Sequence, residues 1–245
     1  MIGAVDFSTD VRFTVPLYTV AEAARALSVP EATFRSWAQG YVRRRPDRPP
    51  VTGDPIVTSV PPPRRGDPSI PFIGLAEAAF LRALRSAEVP LQQIRPALAL
   101  VERRLGVDHA LASRRLYLAG AQLLWEVSED REVDPDAQHG ARDLIVLRDD
   151  QYVFREVVER YLRRIDYGPD DYATRLVLPQ YEVAEVRVDP QVNFGRPYFA
   201  ASGVPIDAVL SRLRAGEGTA ELSGDFGVPE DQIVEVSHRA ARSAA

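Results

Sequence analysis

The side chains best suited to binding chemistry in this sequence are arginines, and they are concentrated in one segment. Positions 35–65 carry seven arginines against two aspartates, and prolines recur between them. A guanidinium group presents planar N–H donors that fit the oxygens of a phosphate. The segment therefore predicts contact with a nucleic-acid backbone, the alternative being a solvated basic linker. The seven residues are Arg35, Arg43, Arg44, Arg45, Arg48, Arg64 and Arg65.

Two short helices joined by a tight turn are predicted directly before most of these arginines. Thr19 followed by Glu22 is a capping box that starts the first helix. In the second helix, from about position 31, Phe34 and Trp37 lie on one face and fill the core. This layout predicts a helix-turn-helix whose second helix enters a DNA major groove, although a helix pair in an enzyme core has a similar pattern. The outward residues of the second helix are Ala32, Thr33, Arg35 and Ser36.

A short hairpin is predicted after the second helix. Residues 51–52 and 56–58 have the composition of strands, and Gly53-Asp54 supplies the turn between them. Such a wing beside a recognition helix can lie along phosphates. The predicted DNA-binding residues are therefore the four outward residues of the helix together with Arg43, Arg44, Arg45, Arg48, Arg64 and Arg65.

The charge of the chain is divided unevenly along its length. All 30 basic residues are arginine, and the net charge is -5. Residues 1–105 carry 14 arginines and 10 acidic residues, which gives +4, whereas residues 106–245 carry 16 arginines and 25 acidic residues, which gives -9. This asymmetry fits a front part that binds nucleic acid and a rear part with a different task.

Composition also argues against several classes of protein. The chain has no cysteine, and His109, His139 and His238 are far apart in sequence. Disulfides and thiolate metal sites are therefore excluded, and neither a metal nor another cofactor is expected. The N-terminus lacks the pattern of a signal peptide, and no apolar run approaches the length of a membrane span. A cytoplasmic protein without membrane contact is expected.

Two further helices are predicted after the wing, over residues 75–87 and 90–105, with Pro96 kinking the second and Gly106 ending it. The order of helix-turn-helix, wing and two helices resembles the DNA-binding domain of MerR-type regulators over about residues 17–105. The signature is Leu27-Ser-Val-Pro-Glu-Ala-Thr-Phe-Arg-Ser-Trp37, in which Thr33, Phe34 and Arg35 match the family's Thr-Leu-Arg. Pro30 departs from the Ser N-cap that is usual there.

Residues 106–180 have the pattern of a connector with short strands and one helix. A hairpin is predicted from residues 116–118 and 123–125, a third strand over 144–147, a helix over 153–165 and an extended run over 174–179. The pairs Asp149-Asp150 and Asp170-Asp171 offer carboxylates to a metal. Adjacent aspartates point to different sides, however, and no catalytic residue is predicted here.

The last third begins with a strand at residue 186, a turn at 193–195, a strand at 198–199 and a helix that starts at Pro205. A second helix-turn-helix is predicted over residues 219–236. Its second helix carries acidic residues that phosphates repel, so this unit is expected to bind a protein rather than DNA. Those residues are Glu230, Asp231 and Glu235.

Four short motifs in this region resemble a small bacterial domain of unknown function, over about residues 181–240. They are Asn193-Phe-Gly-Arg-Pro197, Gly203-Val-Pro-Ile-Asp207, Gly216-Glu217 and Phe226-Gly-Val-Pro-Glu230. Many members of that family are encoded beside PIN-domain ribonucleases. A MerR-like front joined to this rear domain is similar to the VapB-type antitoxins of actinobacteria.

The resemblance implies a type II antitoxin that neutralises a PIN-domain (VapC-type) ribonuclease and represses transcription at its own operator DNA. Such a toxin depends on Mg²⁺ held by carboxylates, so an inserted arginine can inhibit it. The candidates for toxin binding are Arg196, Arg239 and Arg242. A homodimer is expected because two-fold operators match two-fold proteins, with residues 11–16 or 91–105 as the contact.

The predicted fold is α+β, mainly α. Residues 1–16 form an N-terminal segment, 17–105 a winged helix-turn-helix, 106–180 a small α/β connector and 181–245 a helical, toxin-binding domain. Two alternatives are a MerR-type regulator with a ligand-sensing rear part and an enzyme acting on nucleic acid. The sequence has no convergent carboxylates or nucleophile–base pair, so no enzymatic activity is expected.

Overall fold

The computed structural model describes residues 7–45, 48–86, 91–117, 134–145 and 163–244, together with residues 126, 128, 130, 132, 147, 148, 151, 152 and 161. Helices dominate this part of the chain, and its strands pair antiparallel in small sheets. The fold is therefore α+β and mainly α, as predicted. The elements of the first part are α1 (Val11–Thr14), β1 (Pro16–Tyr18), α2 (Val20–Ala26), α3 (Glu31–Gln39), β2 (Tyr41–Arg45), β3 (Arg48–Gly53), β4 (Ile70–Pro71), α4 (Phe72–Ser86) and α5 (Leu91–Leu105).

The second part alternates short strands with helices. Its elements are a 3₁₀ turn (Ala110–Ala112), α6 (Pro135–Ile145), β5 (Leu147–Arg148), β6 (Gln151–Tyr152), β7 (Ile165–Tyr167), β8 (Ala173–Val177), β9 (Val186–Val188), a 3₁₀ turn (Asn193–Gly195), β10 (Tyr198–Phe199), α7 (Ile206–Arg214), α8 (Thr219–Phe226) and α9 (Glu230–Ala244).

The front helix-turn-helix has the predicted structure. The Thr19 backbone N–H donates to Glu22 Oε2 at 2.8 Å, and the Glu22 N–H donates to Thr19 Oγ1 at 3.2 Å, which completes the capping box of α2. Pro30 precedes α3 and supplies no side-chain cap. Phe34 and Trp37 are buried, so the opposite face of α3 is turned outward.

The wing lies earlier in the chain than predicted. The hairpin pairs β2 with β3, whereas residues 56–58, expected to form its second strand, are not in a strand. Residues 51–52, expected in the first strand, lie in β3, which also contains Pro49 and Pro50, and Gly53, expected in the turn, ends that strand. A two-stranded ribbon has two open edges where a missing N–H is tolerated, and its register is irregular between Arg43 and Arg45, near these prolines.

Helix α4 is the centre of the core. It starts at Phe72, three residues earlier than predicted, and its side chains from Phe72 to Leu81 are buried, apart from Gly74, which has none. Gly74 approaches the loop after the wing so closely that a Cβ there would meet the Thr58 carbonyl oxygen at 2.2 Å. Helix α5 ends at Leu105, directly before Gly106 as predicted, and the φ of 61° at Gly106 is a left-handed conformation typical of helix ends.

A buried polar cluster fixes the same loop to α4. Glu77 is 3% exposed, and its Oε2 accepts the Thr58 N–H at 2.5 Å. The Thr58 hydroxyl lies 2.9 Å from Glu77 Oε1 and 2.8 Å from His109 Nδ1, and the same His109 nitrogen is 3.2 Å from Glu77 Oε1. The base of the loop that follows the wing is therefore tied to both α4 and the segment after α5.

Several predictions for the connector are wrong. Residues 116–117, expected in a strand, are helical and buried, and Tyr117 packs its ring 5.7 Å from that of Phe80. Residues 144–145, expected to begin a strand, end α6, which the sequence analysis missed. Ile165, expected to end a helix, begins β7. Short apolar runs fit a helix or a strand equally well, and packing decides between them.

Other predictions for the connector are confirmed or lie outside the described residues. Strand β8 overlaps the extended run predicted over residues 174–179, although it begins one residue earlier and ends at Val177. Three other features lie outside the described residues. They are the second strand of the predicted hairpin (within 118–125), most of the helix predicted over 153–165 (153–160) and the pair Asp149-Asp150.

The other aspartate pair is engaged by arginines. Arg12 donates to Asp170 and Asp10, and Arg115 Nε lies 3.3 Å from Asp171 Oδ2. Burial alone raises the pKa of Asp170, but hydrogen bonding and the charge of Arg12 lower it below its ordinary value. These pairs fasten the N-terminal segment and the connector to the turn between β7 and β8.

One sheet crosses from the connector into the last third of the chain. Its order is β10-β9-β8-β7, so it takes strands from both sides of position 180. The elements predicted for the last third are all present. They are the strands at 186 and 198–199, the turn at 193–195, the helix after Pro205 and the second helix-turn-helix. One continuous set of buried hydrophobic residues runs from Phe13 to Val236.

Candidate nucleic-acid interface

The outward face of α3 carries the residues predicted to recognise bases. Ala32 and Arg35 are exposed and Thr33 and Ser36 are half-buried, on the side opposite the buried Phe34 and Trp37. The Ser36 hydroxyl donates to the Thr33 carbonyl at 2.7 Å. The helix therefore presents two short polar side chains and one long cation to solvent.

Arg35 is held by an acidic neighbour one turn earlier. Its guanidinium donates to Glu31, and both side chains are about half exposed. An exposed pair at this spacing is weak, so Arg35 can exchange Glu31 for a base edge or a phosphate. Glu31 itself repels a phosphate backbone and therefore opposes binding.

Arg85 is a cation of this surface that the sequence analysis missed. It lies in the last turn of α4, and its Nη1 donates to Thr33 Oγ1 at 3.3 Å. The two residues are 52 positions apart. No local pattern relates them, and only the packing of α4 against α3 brings them together.

The wing is fixed to the end of the recognition helix by backbone contacts. The Trp37 carbonyl accepts the N–H groups of Ile56 and Val57 at 2.8 and 3.1 Å. Gly40, with φ of 72°, turns the chain directly into β2, and a Cβ there would meet the Gly53 carbonyl oxygen at 2.5 Å. Helix and hairpin are therefore presented as one unit.

The hairpin brings most of the remaining predicted arginines beside that helix. Arg43, Arg44 and Arg45 lie in β2, and Arg48 begins β3 directly opposite Arg45. The Arg44 side chain is exposed, as are those of Arg64 and Arg65 in the loop between β3 and β4.

The three arginines proposed for toxin binding lie on two elements of the last third. Arg196 follows the turn at Asn193–Gly195, is 67% exposed and lies 3.3 Å from the exposed Asp207. Arg239 and Arg242 lie on α9, where Arg239 is 3.7 Å from Glu182 and Arg242 is exposed. The structure thus puts Arg196 on a turn and the other two on the last helix.

Glu235 has a different role from the predicted one. It was expected to add negative charge to an outward face, but its carboxylate accepts the backbone N–H groups of residues 182–184 at 2.7–3.0 Å. Burial alone raises the pKa of Glu235, but these bonds hold it below its ordinary value. Glu235 therefore anchors the segment before β9, while Glu230 and Asp231 are exposed in the first turn of α9.

Comparison with known proteins finds different families for the front and the rear of the chain. Residues 16–98 match the family described as "Putative DNA-binding HTH domain", and residues 186–238 match "Protein of unknown function (DUF433)". Over 231 residues the chain is 46% identical to "Putative antitoxin VapB45" of Mycobacterium tuberculosis H37Rv, covering 94% of this chain and 96% of that protein. The chain belongs to the VapB-type antitoxin family. The predicted resemblance is thereby confirmed.

Two further relatives extend along most of the antitoxin. A second M. tuberculosis protein, "Uncharacterized protein Rv2308", is 23% identical over 233 residues, covering 93% of this chain and 91% of its own length. The crystal structure of Rv2018 from M. tuberculosis superimposes with a TM-score of 0.76 at 43% identity, covering 92% of this chain and 99% of that one. The arrangement of the front and rear parts in this antitoxin is thus similar to that of a solved protein.

The described part of the antitoxin lacks both a metal-binding group and a membrane-spanning helix. It contains no group of three histidine, aspartate or glutamate side chains positioned to hold a metal ion. Within the same residues no helix combines the length and the apolar composition that crossing a bilayer requires.

Proposed function

We propose that this antitoxin neutralises a PIN-domain ribonuclease and represses transcription by binding its own operator. The observation that carries the proposal is the similarity to an antitoxin over 94% of the chain, combined with an outward recognition helix beside an arginine-bearing hairpin. The two activities are assigned to different parts of the molecule because its front is cationic and its rear acidic.

In the proposed operator complex α3 enters the major groove. Thr33 and Arg35 contact base edges, since a short hydroxyl and a guanidinium fork can both hydrogen-bond there. The hairpin arginines, Arg64 and Arg65 lie along phosphates and supply affinity without selecting sequence. Arg85 adds a further cation at the rim of the helix, after releasing the Thr33 hydroxyl.

A homodimer is part of the proposal, because one helix-turn-helix contacts few base pairs. Val11 and Val15 support it as contact residues. They lie four positions apart at the start of the described chain and are 43% and 40% exposed. Light scattering of Val11→Glu/Val15→Glu should report a monomer if these valines form the contact, whereas wild type should report a dimer.

In the proposed toxin complex the rear part brings arginines to an acidic site. The ribonuclease, not the antitoxin, would hold Mg²⁺ among its carboxylates, and a guanidinium fork pairs with such groups. Arg196 is more accessible than Arg239, with 67% of its side chain exposed against 32%, and its pair with the exposed Asp207 is weak.

Growth rescue tests the proposal in cells. The PIN-domain protein encoded by the neighbouring gene is expressed with wild-type antitoxin, with Arg196→Glu and with the control Arg214→Glu, which reverses an exposed charge on α7. Wild type and control should restore growth, and Arg196→Glu should restore it poorly. Continued arrest with wild-type antitoxin would contradict the proposed neutralisation.

A further inference from the structure

Phe194 is an unusually exposed aromatic residue. It is 88% exposed, more than any other large hydrophobic side chain in the described part of the chain. It lies at the centre of the turn Asn193–Gly195, inside the region that matches DUF433. A side chain of this size loses favourable burial when it is left in water, so its position calls for a physical explanation.

The backbone of the turn is strained at the same residue. Asn193, Phe194 and Gly195 have φ values of 49°, 55° and 74°, three consecutive residues in the left-handed region. Glycine adopts this conformation freely and asparagine tolerates it, but a bulky aromatic residue does so at a cost. Such strain persists only where surrounding contacts enforce it, and it is concentrated at functional sites.

Contacts on both sides of Phe194 enforce the turn. The Asn193 amide donates from Nδ2 to the Gly203 carbonyl at 3.0 Å, and the Tyr18 hydroxyl donates to the Gly195 carbonyl at 2.7 Å. A Cβ at Gly195 would meet Tyr18 Oη at 2.7 Å and Leu17 Cδ1 at 2.8 Å. The turn is thus packed closely against β1, and the phenyl group projects from a rigid base.

A cation stands two residues further along. Arg196 is 67% exposed, and its contact with Asp207 is exposed on both sides. Aromatic residues and arginine dominate the binding energy of protein interfaces, and a preorganised anchor binds without an ordering cost. A protruding phenyl group beside an exposed and weakly paired cation fits a partner with an apolar pocket bordered by carboxylates.

We propose that Phe194 is the aromatic anchor of the toxin interface. This inference rests on the proposed function, since the occupant of the surface is the PIN-domain ribonuclease. The phenyl group enters an apolar pocket of the ribonuclease while Arg196 pairs with carboxylates at its rim. A protein partner is favoured over DNA because residues 106–245 carry a net negative charge that repels phosphates, whereas a single cation beside a phenyl group can pair with a local carboxylate.

The test is calorimetric binding of full-length antitoxin variants to the PIN-domain protein encoded by the neighbouring gene. Phe194→Ala removes the anchor, and Phe194→Asn removes it with a residue that tolerates the left-handed conformation. Val183→Ala is the control, since Val183 is a 52% exposed hydrophobic residue of the same part of the chain. Both Phe194 variants should bind at least about 30-fold more weakly, and the control within about threefold of wild type.

Two further measurements separate anchoring from folding and from self-association. Phe194→Asn should keep or raise the Tm of the antitoxin, because it relieves strain, and light scattering should show its oligomeric state unchanged. If Phe194→Ala binds the ribonuclease within about threefold of wild type, the anchor is refuted while the proposed function stands. Loss of the dimer with unchanged ribonuclease affinity would assign Phe194 to a second copy and overturn the proposal. If wild type itself does not bind, the proposed function and the anchor fail together.

Discussion

Tyr18 donates its hydroxyl to the Gly195 carbonyl across 177 positions of the chain. Tyr18 ends β1 and directly precedes Thr19, the cap of the first helix of the helix-turn-helix. Gly195 ends the turn that carries Phe194. One hydrogen bond therefore joins the candidate DNA-binding part to the turn proposed to meet the toxin, and both belong to one folded unit.

Removal of this bond should destabilise the protein. Tyr18→Phe keeps the buried ring but leaves the Gly195 carbonyl without its donor, which costs about 1–2 kcal/mol of unfolding free energy. We expect chemical denaturation to show this loss, and calorimetry to show weaker binding of the ribonuclease because the turn is less rigid. An unchanged unfolding free energy would mean that the bond contributes nothing.

The hairpin arginines should govern the salt dependence of operator binding. Arg43→Ala/Arg44→Ala/Arg45→Ala removes up to three phosphate contacts, so the slope of log K against log salt should become less negative by up to about 3. Fluorescence anisotropy with operator and unrelated duplexes measures this effect. The control Arg214→Ala/Arg242→Ala removes cations from α7 and α9 and should leave the slope unchanged. Equal slopes for the triple variant and wild type would refute the hairpin assignment.

Glu31 should weaken DNA binding in the wild-type protein. Glu31→Gln removes a negative charge from the recognition helix and releases Arg35, so operator affinity should rise several-fold at low salt and the gain should shrink as salt increases. Arg35→Ala should instead alter the preference among operator sequences. Binding by Glu31→Gln that is weaker than wild type would place the DNA away from this face of α3.

The position of the helix-turn-helix could be predicted because its signals are local. The capping box and the spacing of Phe34 and Trp37 fix both helices within a few residues. The predicted wing was misplaced because its second strand, β3, includes Pro49 and Pro50. A strand accommodates proline only at an open edge of a sheet, and local sequence does not reveal which edges are open. Arg85 contacts Thr33, 52 positions away, and Glu235 contacts the backbone of residues 182–184, 51–53 positions away, so local sequence does not reveal either role. The sheet that joins strands from both sides of position 180 could not be predicted either, because each segment was interpreted separately.

The cluster around His109 should make stability depend on pH. Burial alone lowers the pKa of His109, but the hydrogen bond and charge of Glu77, with Asp108 and Glu102 nearby, raise it above its ordinary value of 6.5. The stability contributed by protonated His109 is therefore complete below pH 6.5 and lost as pH rises through the raised pKa. Burial, together with the charge of Glu77, raises the pKa of Glu102 from 4.5 to about 7, so the ionisation of Glu102 also disfavours the folded state as pH rises through that range.

This pH dependence can be measured with a matched pair of histidine variants. The Tm of wild type should fall between pH 6 and pH 8.5, and His109→Gln should reduce that fall because it removes one of the two groups. His238→Gln, which changes an exposed histidine on α9, should behave as wild type. Parallel curves for His109→Gln and wild type would exclude His109 as a source of the dependence.

The central claim is that this antitoxin inhibits a PIN-domain ribonuclease, and a cleavage assay tests it most directly. The purified ribonuclease encoded by the neighbouring gene is incubated with Mg²⁺ and a labelled RNA, and full-length antitoxin is titrated into the reaction. We predict that cleavage falls to background near an equimolar ratio, and that Phe194→Ala and Arg196→Glu require a large excess to do the same. Cleavage that continues at the wild-type rate in the presence of a tenfold excess of wild-type antitoxin would contradict the account.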